Sequence, residues 1–563
     1  MEHRRASFFL APAIVLVSAF ISLVSCSTAK TNQAGGSVGA ARPPNQALEG
    51  YAALAASPQA AAGLPGTASV PRDSSLAYQP VHNTEEYAKI TDNPFLDALG
   101  NPLSTFSIDV DTASYANMRR FLMENRSLPL ADAVRIEELI NYFSYSYPAP
   151  SGKDPVAYSL SLAGAPWNKE HQLLRVAIKA AQIETKDLPA SNLVFLLDCS
   201  GSMADENKLP LLKDGLRILV RNLQKRDRVS VVVYSGRAGI LLPPTPGDKY
   251  EKIMSTIDSL VAGGSTAGGE GIQLAYRTAK ENYIKGGNNR VIIATDGDFN
   301  VGISSTSELE RYIEKQREDN IFLTVLGLGM GNYKDNRLET LADKGNGNFA
   351  YIDNLLEAKK VLGKEIWGSL YTVAKDVKVQ IEFNPALVRQ YRLIGYENRL
   401  LSKEDFNDDR KDAGEMGSGQ TVTALYELVL AEAAGGPPEV GMGPGAKPPV
   451  DPLAFQNSTV KPSDDLLVFK LRYKVPGEGN EDSTLVSSRL SKAAHDGSPM
   501  DQDFAFASAV AEFGMLLRDS PYKADSSWKG LIGRARAAKG VDAEGYRAEF
   551  VRLAEMAELL TEK

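Results

Sequence analysis

Between residues 190 and 371 short apolar runs alternate with amphipathic stretches. Residues 192–197, 229–234, 290–295 and 321–327 are dominated by Val, Leu, Ile and Phe, the pattern of strands covered on both faces. Residues 209–223, 250–260, 271–283, 307–317 and 336–344 carry apolar side chains at helical spacing and predict helices. Strands alternating with helices imply a mostly parallel sheet with helices on both faces, and such sheets bind ligands beyond the carboxyl ends of their strands. In the preceding region, 78–187, Phe106, Ile108 and Val110 alternate with polar residues as in a half-buried strand. A helix over 113–125, which Asp111 or Thr112 can cap, follows, and then a second over 131–145 carrying Val134, Ile136, Leu139, Ile140 and Phe143. In the region 372–563, alternation over 376–383, 387–396 and 466–475 predicts antiparallel strands. From Gln502 onward, Phe504, Phe506, Val510, Phe513, Tyr546, Phe550 and Leu553 mark helices facing a core. The expected fold is therefore α/β at the centre, flanked by an α+β N-terminal region and a C-terminal region of antiparallel strands plus helices.

Length and charge narrow the function. A chain of 563 residues exceeds one compact core and implies several domains. A net charge of -8 gives no basic footprint for nucleic acid. Arg4 and Arg5 precede an apolar stretch over 8–24, which predicts a secretion signal over 1–25; the competing reading, an uncleaved membrane helix, has an apolar run short of the ~20 residues a span needs. The stretch ends in Leu23-Val24-Ser25-Cys26, which resembles the lipobox of bacterial lipoproteins. That resemblance implies cleavage before Cys26, its diacylation and N-acylation, and lipid anchoring in the bacterial cell envelope. Ser27, in place of Asp, favours the outer membrane, facing the periplasm or the cell surface. Residues 26–77, rich in Ala, Pro, Gly, Ser and Thr, read as the lipidated cysteine and a flexible tether spanning roughly 40 Å. With Cys26 acylated, Cys199 has no disulfide partner, and the four histidines show no zinc-ligand spacing.

Three central loops carry the chemistry. Asp198-Cys199-Ser200-Gly201-Ser202 follows the first strand with one carboxylate and two hydroxyls at alternate positions. Gly263-Gly264-Ser265-Thr266 offers a further hydroxyl on a pliable backbone, and Asp296 ends another strand. Asp198, Ser200, Ser202, Thr266 and Asp296 are all hard oxygen donors, suited to Mg2+ or Mn2+, with Ca2+ as a third candidate. Cys199 reads as a small buried residue, since no histidine is paired with it. Asp109 and Asp111 offer either a calcium-binding pair or a strand end plus a helix cap, the commoner use of such a pair. The acidic segment 404–415 offers either a calcium site or a solvated loop, the commoner use of a charge run.

This arrangement resembles the metal-ion-dependent adhesion site of von Willebrand factor type A domains, which implies a Rossmann-like domain over 190–371. By that resemblance Ser200 and Ser202 coordinate the ion through their hydroxyls and Thr266 does so directly or through water, while Asp198 and Asp296 hold coordinated waters. The ion then keeps positive charge for an Asp or Glu of a protein partner. The sequence departs from the commoner loop at Ser265, which could serve in place of Thr266. The flanks resemble those of a bacterial lipoprotein group built around such a domain, in segments 104–115, 135–143, 405–426 and 503–522. The function expected is a metal-dependent protein-binding or scaffold module without turnover. The alternatives are a metal-assisted hydrolase with Asp298 or Glu270 as base, and a structural spacer whose flanks cover the site.

Overall fold

The structure, a computed structural model, describes residues 85–184, 188–264, 268–297, 306–330, 333–431, 461–477, 482–494 and 499–562. The expectations for the signal, Cys26 and the tether lie outside the described residues.

The central region is a six-stranded sheet in the order Phe349–Ile352, Ile321–Leu328, Asn288–Thr295, Ser191–Asp198, Arg228–Ser235, Arg237–Pro246. The first five run parallel and the last is antiparallel. Its inner strands read as unbroken apolar runs because both faces are covered. Leu193, Phe195 and Leu197 pack with Leu209, Leu212, Leu216, Ile253 and Ile257 of the helices Leu209–Val220 and Tyr250–Asp258. Val194 and Leu196 face the other way, against Ile272, Ile313, Leu338 and Leu341 of Gly268–Glu281, Thr306–Glu318 and Asp335–Lys344. The architecture is α/β, as expected, with two edge strands that hydrophobic patterning did not predict. Arg237–Pro246 holds Pro243, Pro244 and Pro246, which only an edge strand tolerates, and Phe349–Ile352 has four residues.

The flanks are interleaved. One sheet, in the order Leu96–Asp97, Val388–Ile394, Thr421–Leu430, Asn168–Ala180, Val156–Ala165, sets two strands from after the central region between strands from before it. In the second, Thr372–Phe383 pairs with Leu103–Ser107, Gly414–Gly417 and Asp465–Lys474, and the last pairs in turn with Thr484–Ser491. Their apolar faces share one core containing Phe106, Val176, Ile178, Phe383, Tyr391, Tyr426 and Phe469. The helices Gln502–Leu517, Trp528–Ala537 and Tyr546–Thr561 pack with Ala113–Arg119 and Ile136–Asn141 around Phe143, Phe506, Phe513 and Phe550. The α/β domain is thus inserted into a body to which both ends of the chain contribute. Among the described residues no helix is long and apolar enough to cross a membrane.

Two local expectations need correction. The helix expected over 131–145 is a short 3-10 turn, Ala131–Ala133, and then Ile136–Asn141; between them Ser114 fixes an extended backbone by donating to the Ala133 carbonyl and accepting from the Arg135 amide. Neither Asp111 nor Thr112 caps the helix Ala113–Arg119. Asp111 instead accepts from the Phe349 amide at 2.9 Å, joining the flank to the inserted domain.

Candidate metal site

Asp198 is the last residue of Ser191–Asp198, and Asp296 follows the neighbouring parallel strand Asn288–Thr295. Parallel pairing therefore brings two carboxylates, remote in sequence, to one sheet end, and both are fully buried. Asp198 is held from three sides: its Oδ1 accepts from the Ser200 amide at 2.8 Å, and its Oδ2 from the Tyr234 hydroxyl at 2.9 Å and the Thr295 hydroxyl at 3.1 Å. Burial pushes its carboxyl up, against the hydrogen bonds from Ser200 and Tyr234 that pull it down.

The loop after Asp198 turns through a short 3-10 segment, Gly201–Ala204. Three backbone bonds pin it: Cys199 N donates to Tyr234 O at 3.1 Å, Gly201 N to Gly264 O at 3.1 Å, and Gly263 N to Cys199 O at 2.8 Å. Gly264 sits at φ +83, and a Cβ there would meet Ser235 Oγ at 2.5 Å, so both the backbone conformation and the close approach to Ser235 require glycine. The result is that Ser200 Oγ and Ser202 Oγ lie 3.0 Å apart. Neighbouring corners of an octahedron with ligand distances near 2.1 Å are separated by about 3.0 Å, so the two hydroxyls fit adjacent positions around Mg2+. Ser200 is buried, whereas Gly201, Ser202 and Gly263 are exposed, so the described part of the site opens to solvent.

Thr266, Ser265 and Asp298 lie outside the described residues. Glu270 is an exposed residue in the first turn of Gly268–Glu281. Cys199 is buried in the core with Met203 and Leu209, and burial first, then Asp198, pushes its thiol up to about 12, so it is no nucleophile at neutral pH. Among the described residues no group of three or more His, Cys, Asp or Glu is placed to hold a metal, which leaves the hydroxyl-based set as the candidate. Sequence patterning overlooked Tyr234, Thr295 and Lys208. The first two are polar residues at strand ends beside Asp198, which parallel pairing of the predicted strands would have flagged. Lys208 Nζ lies 3.1 Å from Asp296 Oδ2.

Asp109 and Asp111 are not joined to this site. Arg399 pairs with Asp109 at 3.2 Å, Asp343 at 2.8 Å, and Glu339 and Asp111 at 3.5 Å, while Arg135 pairs with Glu138, Asp335 and Glu339. This ionic cluster fastens the flanks to the helix Asp335–Lys344 of the inserted domain. The acidic segment is partly solvated, with Arg410 fully at the surface, but Asp412 pairs with Arg317 and Glu415 accepts from Thr372 at 2.8 Å.

Residues 192–363 match the von Willebrand factor type A domain, residues 81–175 a region described as von Willebrand factor, and residues 368–560 the C-terminal region of the uncharacterized protein YfbK. The uncharacterized protein YfbK of Escherichia coli strain K12 is 45% identical over 490 residues, covering 85% of this chain and 82% of that protein. The chain belongs to the YfbK family. As a YfbK-family protein it combines a type A domain with the flanks of that family. A magnesium-chelatase 67 kDa subunit of Chlorobaculum tepidum is 27% identical over 30% of this chain and 30% of its own length. Among solved structures, von Willebrand factor type A from Catenulispora acidiphila aligns at 14% identity and a TM-score of 0.39, covering 70% of this chain and 89% of that one. Type A domains are a module that commonly mediates protein interactions, is generally non-catalytic and can bind divalent metals at the adhesion-type site.

Proposed function

We propose that this YfbK-family protein is a metal-dependent protein-binding or scaffold module, tethered to the cell envelope through lipid on Cys26. Asp198, Ser200, Ser202, Thr266 and Asp296 take Mg2+ or Mn2+, with Ca2+ as the alternative, and a partner protein's Asp or Glu completes the shell. No turnover is assigned to the site. The observation that carries this reading is the pair of hydroxyls 3.0 Å apart at a solvent-facing strand end, backed by two buried carboxylates. Hydroxyls in contact with the ion neutralise none of its charge, so an anionic ligand remains favourable at the open side.

Thermal melts of the mature chain test it. At about a hundredfold excess of Mg2+ over Kd, wild type should gain roughly 2.7 kcal/mol, and Asp198→Ala much less. Equal metal-induced gains in the two proteins would place the ion elsewhere. Crosslinking from membranes with and without chelator tests the partner, which should be lost with chelator. For the anchor, Cys26→Ala should abolish lipid labelling and leave precursor uncleaved; normal labelling would remove the anchor from the proposal.

A further inference from the structure

Of the three side chains that sequence patterning overlooked, Lys208 has the most specific setting at this end of the sheet. Lys208 immediately precedes the helix Leu209–Val220, and its amide closes a turn by donating to Asp205 O at 3.0 Å. Its stem runs back over the loop, only 4% of the residue is exposed, and Nζ donates to Ser202 O at 3.0 Å and to Asp296 Oδ2 at 3.1 Å. Asp205 Oδ2 lies 3.7 Å away on the outer side. The chain on the opposite side is shaped to admit it: a Cβ at Gly329, which has φ +73, would fall 2.2 Å from Lys208 Cε and 2.7 Å from Cγ. A buried ammonium is costly unless it is paired and hydrogen-bonded, and here both acceptors belong to the segments that supply the candidate ligands.

We propose that Lys208 is a positioning residue of the metal site, a resident cation that ties Asp296 to the Ser200–Ser202 loop and lowers the site's affinity for divalent ions while raising its preference for an anionic partner. The inference rests on the metal reading above. With both carboxylates ionised, a divalent ion would just cancel Asp198 and Asp296; Lys208 adds a buried positive charge, which faces Asp205 only at 3.7 Å on the exposed outer side, where solvent screens it. A carboxylate arriving at the open side then meets a more positive site than it would without Lys208, whereas water or a neutral side chain gains little from that charge. Lys208 also keeps the two segments together when no divalent ion is present, because it bonds to both. Like-charge repulsion at a few ångströms in a partly buried site is large beside one lost hydrogen bond, which sets the sign for removing the ammonium.

The test titrates Mn2+ alone into the mature chain and its K208M variant, with binding read by calorimetry. K208M should bind Mn2+ about tenfold more tightly; binding unchanged or weaker in a variant that melts cooperatively overturns the proposal. K208Q serves the same purpose where K208M does not fold. A second measurement needs no metal: a cycle of K208M and D296N in chelator should show coupling of about tenfold in the folding constant, and coupling under twofold overturns the tie between the two segments. Should wild type take up no Mn2+ at all, the metal reading is the one that fails, and the cycle in chelator decides Lys208 by itself.

Discussion

Two parts of the molecule bury carboxylates beside an inter-segment junction and complete them differently. At the sheet end, Asp198 and Asp296 are accompanied by two serine hydroxyls bonded to each other and by one lysine bonded to Asp296, and Ser202 remains open to solvent. At the junction of flank and inserted domain, Asp109, Asp111, Glu138, Asp335, Glu339 and Asp343 surround Arg135 and Arg399. Guanidinium groups saturate carboxylate oxygens with directed bonds, so the second cluster is consumed in holding two bodies together. The first keeps neutral hydroxyl groups at an open edge, as the proposed ion site requires. An Asp-x-Asp pair and an Asp-x-Ser-x-Ser run look alike as acidic motifs; what separates them is whether arginine or hydroxyl arrives from the neighbouring segments.

The largest expected effect lies at the saturated cluster. Arg399→Met should cost about 3–5 kcal/mol at pH 8, because it strands several buried carboxylates; a loss below about 1 kcal/mol in denaturant melts would make the junction as loose as a surface pair. Next comes the contrast in metal response. The Mg2+-induced gain of roughly 2.7 kcal/mol at a hundredfold excess should survive Asp111→Asn and collapse in Asp198→Asn, and the reverse pattern would exchange the roles of the two regions. A pH scan gives an intermediate effect. Burial pushes Glu138 up to about 8 and Glu339 up to about 7, with Arg135 opposing in both. Folded carboxyls with raised pKa bind protons that the unfolded chain has released, so their stabilising contribution is complete below about pH 4.5 and is lost as pH climbs through about 7–8. Melting should therefore weaken from pH 6 to 8.5 by on the order of 4 kcal/mol, and Glu339→Gln should flatten the slope. The smallest effect belongs to Ser202→Ala in chelator, under about 0.5 kcal/mol for an exposed hydroxyl, although the same variant should lose metal response.

Legibility in the sequence followed burial and locality. The four inner strands were readable because helices cover both faces and leave only apolar residues between Leu193 and Leu197. Asn168–Ala180 was missed because its first half, with Lys169, Glu170 and His171, is solvent-facing and hides the apolar second half. Ser200 and Ser202 were legible as neighbouring hydroxyls because the run that holds them is contiguous. Lys208 escaped because a lysine before a helix reads as a surface residue, and its carboxylate partner lies in another loop. Asp109 and Asp111 were legible as a pair but not as partners of Arg399, which arrives from the far side of the inserted domain. The insertion itself could not be read at all, since strand pairing between Thr421–Leu430 and Asn168–Ala180 leaves no local pattern.

That pairing has a consequence for how the chain is made. During synthesis Asn168–Ala180 emerges long before Thr421–Leu430, and Leu103–Ser107 before Thr372–Phe383. The early strands must wait, Leu103–Ser107 without its partner and Asn168–Ala180 paired on one side alone with Val156–Ala165, while the type A domain, whose six-stranded sheet is built from its own segment, folds between them. Closure then comes late and joins the two flanks, so a chain interrupted after Tyr371 would retain a folded centre attached to a first segment deprived of Thr372–Phe383 and Thr421–Leu430, the strands that complete its sheets.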